Sequence, residues 1–139
     1  MHESTSYSEC AQVHATFETA LITARTALAA EGFGIVSEID VQATFAAKLG
    51  IDRDPYLILG ACNPQIAHQA LMVEPQLGTL LPCNVAVFVL DGHTYVSIIS
   101  AERMLGMVQN PALTLLAKDV GARLERVLAQ IRNELTNSG

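Results

Sequence analysis

The sequence has no tryptophan, and only 5% of its 139 residues are aromatic. Aromatic platforms that stack sugars or single-stranded bases are therefore disfavoured. Basic residues are scarce as well: 8 Lys and Arg stand against 14 Asp and Glu, for a formal net charge of −6. Polynucleotide binders concentrate Lys and Arg on one face, and no such run is visible, so nucleic acid is not an expected partner. No apolar run approaches the roughly 18 residues of a membrane span. The opening MHESTSYSEC lacks the basic-then-apolar order of a secretory signal. The expectation is a cytoplasmic protein with no membrane partner. Cysteines are few and odd in number. Cys10, Cys62 and Cys83 match no disulfide framework and no CxxC finger, which fits reduced thiols in that compartment.

What is present is apolar. Half of the residues are hydrophobic and 16% are charged, with a mean hydropathy of +0.32. A chain of this length is one domain, 1–139, able to bury about two thirds of its unfolded surface. Its apolar surplus leaves room for a subunit interface beside the core.

Residues 8–14 form a first candidate strand, and Thr16 is placed to cap a helix carrying Phe17, Ala20, Leu21, Ala24 and Leu28. Residues 33–39 alternate as a strand. Asp40 can cap a short helix ended by Gly50. Residues 55–61 read as a strand that is apolar on both faces, central in the sheet or covered by a partner. Asn63-Pro64 then opens a helix as cap and first-turn proline, and Glu74-Pro75 stops it. Asp91-Gly92 joins two strands as a type I′ hairpin, 85–90 with 93–99. This turn pairs Leu90 with His93, Val87 with Val96 and Val85 with Ile98, and it sets Phe88 beside Tyr95. Asn110-Pro111 precedes a helix of about 24 residues, roughly 36 Å long. The pattern predicts an α+β two-layer sandwich: a mixed sheet containing that hairpin, packed by helices.

Two Cys-Asn pairs stand out. Cys62 falls where a strand ends and a helix begins, where free N–H groups and the helix dipole favour anions and can lower a thiol pKa below about 8.5. The competing reading is a small buried hydrophobe. Cys83 opens a hairpin strand and is expected to point with Val85 into the core. Parallel 55–61 and 84–90 strands would hold the two thiols at opposite ends, and antiparallel strands would bring them to one end. The sequence leaves both open. His68, on the helix after Cys62, would join Cys62 and Cys83 in a soft-metal site if the fold gathered them, although their spacing matches no zinc set. Glu38, expected to share a strand face with Val36, could accept from Lys48, line a pocket or stand solvated. Nucleophile-elbow, P-loop, dinucleotide-binding and HExxH signatures are absent from the sequence.

The stretch from Glu38-Ile-Asp-Val41 through Lys48, Pro55-Tyr56, Leu59-Gly-Ala-Cys-Asn-Pro64 and Ala67-His68 resembles the family catalogued as domain of unknown function 302. Glu74-Pro75 and Leu81-Pro-Cys-Asn-Val85 extend the resemblance, which spans about residues 7–132. It implies a small prokaryotic α+β domain, a homodimer, with no agreed activity. Both Cys-Asn pairs belong to that pattern, while Cys10 lies outside it. Two functional expectations follow. One is a cysteine-centred small-ligand, thiol-redox or soft-metal site in which Asn63, Asn84, Glu38 and Lys48 shape the pocket. The other is an assembly module whose cysteines only pack.

Overall fold

The computed structural model describes residues 4–136. Its elements run β1 (Ser8–Val13), α1 (Phe17–Ala30), β2 (Gly34–Asp40), α2 (Val41–Leu49), β3 (Tyr56–Cys62), α3 (Pro64–Val73), β4 (Cys83–Leu90), β5 (His93–Ile99), α4 (Ala101–Gly106) and α5 (Thr114–Thr136). Side-chain caps fix three of the helix starts. Thr16 Oγ1 accepts from the Thr19 N–H at 3.1 Å, Asp40 Oδ1 from Ala43 at 2.9 Å and Asn63 Oδ1 from Ile66 at 3.2 Å. Each satisfies one first-turn donor that the helix itself leaves unpaired. Gly50 ends α2 at φ 64°, a left-handed backbone that a side chain would disfavour.

The strands lie in the order β1-β5-β4-β3-β2, and every pairing is antiparallel. The two-layer sandwich is therefore as expected, but its sheet is not mixed. The reason is in the excursions: residues 41–55 and 63–82 each return the chain to the sheet end it left. A parallel neighbour would need a crossing of the whole sheet. The hairpin has the register its turn demands, with Leu90 opposite His93, Val87 opposite Val96 and Val85 opposite Ile98. Asp91 and Gly92 take φ of 53° and 79°, as a type I′ turn requires.

One sheet face carries Val13, Leu59, Val85, Val87, Val96 and Ile98 against the alanine-lined side of α1 and the apolar stripe of α5. Small residues at Ala20, Ala24 and Ala27 let α1 close onto the strands. A second, smaller core lies beyond the sheet end, where Ala70, Leu77, Leu105, Leu113 and Ala117 meet. The other sheet face bears a row of rings, Tyr56, Phe88 and Tyr95, stacked at centroid distances of 5.0 and 5.4 Å. Arg53 reaches over the Phe45 and Tyr56 rings from the α2 side. No helix among the described residues is long and apolar enough to cross a membrane.

Candidate functional site

In the antiparallel β3–β4 pair, Ala61 stands opposite Cys83, and Cys62 is the next residue along. Opposed Cα atoms are about 4.5–5.5 Å apart and each residue advances about 3.4 Å, which sets the Cys62 and Cys83 Cα atoms about 6 Å apart. Of the two arrangements the sequence left open, the fold takes the one that brings the cysteines to one end. Cys83 is only 7% exposed and Cys62 is half-buried. Both line one pocket of about 30 Å³, walled by Phe33, Ile66, Leu77, Met104 and Val120. Burial pushes the Cys83 thiol up from the ordinary 9.0 to about 11, and the neighbouring Cys62 acts in the same direction. Cys83 therefore remains a protonated thiol at neutral pH.

Of the other residues expected at a site, Asn63 lines the same pocket and the rest have separate places. Asn63 caps α3, and its amide nitrogen packs against the backbone of Gly32. Close by, Arg123 of α5 donates from Nη1 to the Glu31 carbonyl at 2.9 Å and from Nε to Asp119 at 2.9 Å. The first bond fastens the end of α1 to α5 beside the cap, and the second, within α5, holds the guanidinium in place. Asn84 is exposed on the opposite sheet face, across from Gly60, and is not a pocket wall. Glu38 forms an ion pair with Arg25 of α1 rather than with Lys48, which is exposed in the last turn of α2. A bulge between Ile35 and Ser37 separates Glu38 from the face of Val36. Glu38 consequently aligns with Leu59 on the helix-facing side, within reach of α1. His68 is exposed on α3, and among the described residues no group of three or more His, Cys, Asp or Glu side chains is placed to hold a metal ion. The fold brings the two thiols together and leaves out His68, Glu38, Lys48 and Asn84.

Two contributors were not singled out from the sequence. The first is the wall supplied by Leu77 and Met104, which come from segments that read as loop. The second is Gly60. A Cβ at Gly60 would overlap Ser37 Oγ and come within 2.6 Å of Pro82 Cγ. A glycine inside a strand pattern is the signal for such a close approach. The rigid proline ring cannot swing away, so Gly60→Ala is expected to cost about 1–3 kcal/mol by overpacking. Urea denaturation measures it, and an unshifted midpoint would show that Pro82 does not press on this strand.

A search of curated proteins finds no match. The family described as domain of unknown function DUF302 matches residues 10–131. The crystal structure of an uncharacterized conserved protein DUF302 from Bacillus stearothermophilus is similar to this chain at a TM-score of 0.84 and 29% identity, over 92% of this chain and 100% of that one. A match that begins at Cys10 in β1 and ends at Ile131 in α5, with the same fold across nearly all of both chains, makes this chain a member of the DUF302 family.

Proposed function

We propose that Cys62 and Cys83 form a dithiol site in a cytoplasmic protein, with Cys62 the reacting sulfur and Cys83 its buried partner. The observation that carries this reading is the β3–β4 register, which ends one strand and starts the next with cysteines lining one pocket. Two thiols with no third His, Cys, Asp or Glu beside them among the described residues favour sulfur chemistry over a structural tetrahedral metal centre, which takes four ligands. The chemistry available is two-electron exchange. A Cys62 thiolate attacks a small disulfide and expels one thiolate. Cys83 then loses its proton and attacks the Cys62 sulfur, expelling the second. The oxidant becomes two thiols, and the protein gains an internal disulfide. With a pKa of about 11, Cys83 is thiolate in about one molecule in ten thousand at pH 7, so the second step is the slow one.

The test is iodoacetamide labelling of the reduced native protein under anaerobic conditions. Read at each cysteine by peptide mapping, Cys62 is expected to label in the folded state and Cys83 only on unfolding; Cys62→Ser removes the native signal at that position, and half-buried Cys10 is followed separately. If neither Cys62 nor Cys83 labels until the chain unfolds, the dithiol reading falls. The assembly alternative then takes its place, with the Tyr56–Phe88 face as the surface of a homodimer and sedimentation as a dimer as its check.

A further inference from the structure

We propose that this pocket stores a single sulfane sulfur on Cys62, delivered by a low-molecular-weight persulfide. The inference rests on the dithiol reading and names its ligand from the size and polarity of the pocket. About 30 Å³ of space admits one water-sized body. Pockets for drug-sized organic ligands run to about 300–1,000 Å³, so such a substrate would not enter without displacing the walls. One more sulfur, bonded about 2.05 Å from the Cys62 sulfur, is a body of the right size.

Polarity separates sulfur from oxygen. The space is walled mostly by carbon, from Phe33, Ile66, Leu77, Leu116 and Val120, with the Met104 thioether, the two thiols and the Asn63 amide as its heteroatom-bearing side chains. A water, or the hydroxyl of a sulfenic acid, would find fewer partners there than it needs, because Asn63 Oδ1 already accepts from the Ile66 N–H and a thiol is a weak donor. A sulfane sulfur is weak as donor and as acceptor and does not carry that cost.

The transfer balances without a further oxidant. The Cys62 thiolate attacks the outer sulfur of the donor persulfide, the donor's S–S bond breaks, and the donor leaves as a thiolate. The product is Cys62–S–SH. An acceptor thiolate reverses the step by taking the outer sulfur and leaving Cys62 as thiolate. The competing loss is attack by Cys83 on the inner Cys62 sulfur, which would close the disulfide and release hydrogen sulfide. Cys83 is mostly protonated at neutral pH, which slows that loss and lets the persulfide persist.

The experiment loads the reduced full-length protein with glutathione persulfide and follows it by intact mass and peptide mapping. The wild type is expected to gain one sulfur atom, mapped to Cys62, and Cys62→Ser to gain none. Ala70→Val and Ala67→Val each narrow the pocket. Whichever keeps the wild-type circular dichroism melt is expected to lose the added sulfur about tenfold faster. Two results would overturn the inference while the dithiol reading stands. One is a Cys62 that labels with iodoacetamide but takes no sulfur; the other is sulfur lost equally fast from the wild type and the narrowed variants. A Cys62 that neither labels nor takes sulfur removes both.

Discussion

Folding stability is expected to fall by about 2–3 kcal/mol as pH rises through the window from 9 to 11, because of Cys83 alone. The folded-state value of about 11 lies above the ordinary 9.0, so within this window the native chain keeps a proton that the unfolded chain releases. Stability rises with pH only where the unfolded state binds more protons; here it binds fewer, and stability declines. The contribution is fully present below pH 9 and is lost once pH passes the folded value. At 7% exposure the thiol has little solvent to screen it. Burial also raises Cys10, opposed by a Ser97 hydrogen bond and by Arg132, and it acts in the same direction. Against a typical total of about 5–15 kcal/mol the loss is large. Urea unfolding across the window in reductant measures it, with Cys83→Ala as the comparison. The variant is expected to show a flatter profile than the wild type. Parallel profiles would mean that Cys83 is not desolvated in the native chain.

The fold was legible wherever a local rule decides the outcome. Thr16, Asp40 and Asn63 cap the helices they were expected to cap, because a short polar side chain before an apolar repeat has a donor waiting three residues on. The β4–β5 register was fixed by two residues, Asp91 and Gly92, because a two-residue turn allows only one pairing of the strands beside it. Non-local matters were not legible. Nothing in 55–61 or 84–90 specifies which way the strands run relative to each other, since both are apolar runs that any buried neighbour satisfies. The bulge at Val36 breaks the alternation by one residue, and it redirects Glu38 from the face of Val36 to Arg25. The α4 turn and the short 3-10 segment Pro75–Leu80 are too brief to show a helical period. They nevertheless bring Met104 and Leu77 to the pocket.

The candidate site was legible in part for the same reason. The Cys-Asn pairs are visible in the sequence as residue types, and Asn63 has the capping role its position implies. Cys62 and Cys83 could be joined only by the long-range pairing of β3 with β4. His68, Glu38, Lys48 and Asn84 share with them only nearness in sequence or membership of the same motifs. Helix and strand geometry then turned each of them elsewhere.

Mild oxidation is expected to link Cys62 to Cys83. A Cα separation of about 6 Å lies inside the 4.4–6.8 Å that disulfides span. Side chains alternate along β3, so the bond also needs Cys62, its last residue, to turn toward the pocket that both cysteines line. The loop closed across residues 63–82 is of the size for which cross-linking stabilises a chain by about 3 kcal/mol. The oxidised protein should therefore unfold at higher urea than the reduced one. Cys10 stands apart from the pair on β1, on the sheet face opposite the pocket. The most direct measurement is peptide mapping after diamide treatment and alkylation of the remaining thiols. The account predicts one intramolecular bond, Cys62 to Cys83, with Cys10 recovered as the alkylated thiol. Recovery of Cys62 and Cys83 both unlinked, or of either joined to Cys10 or to another molecule, would contradict it.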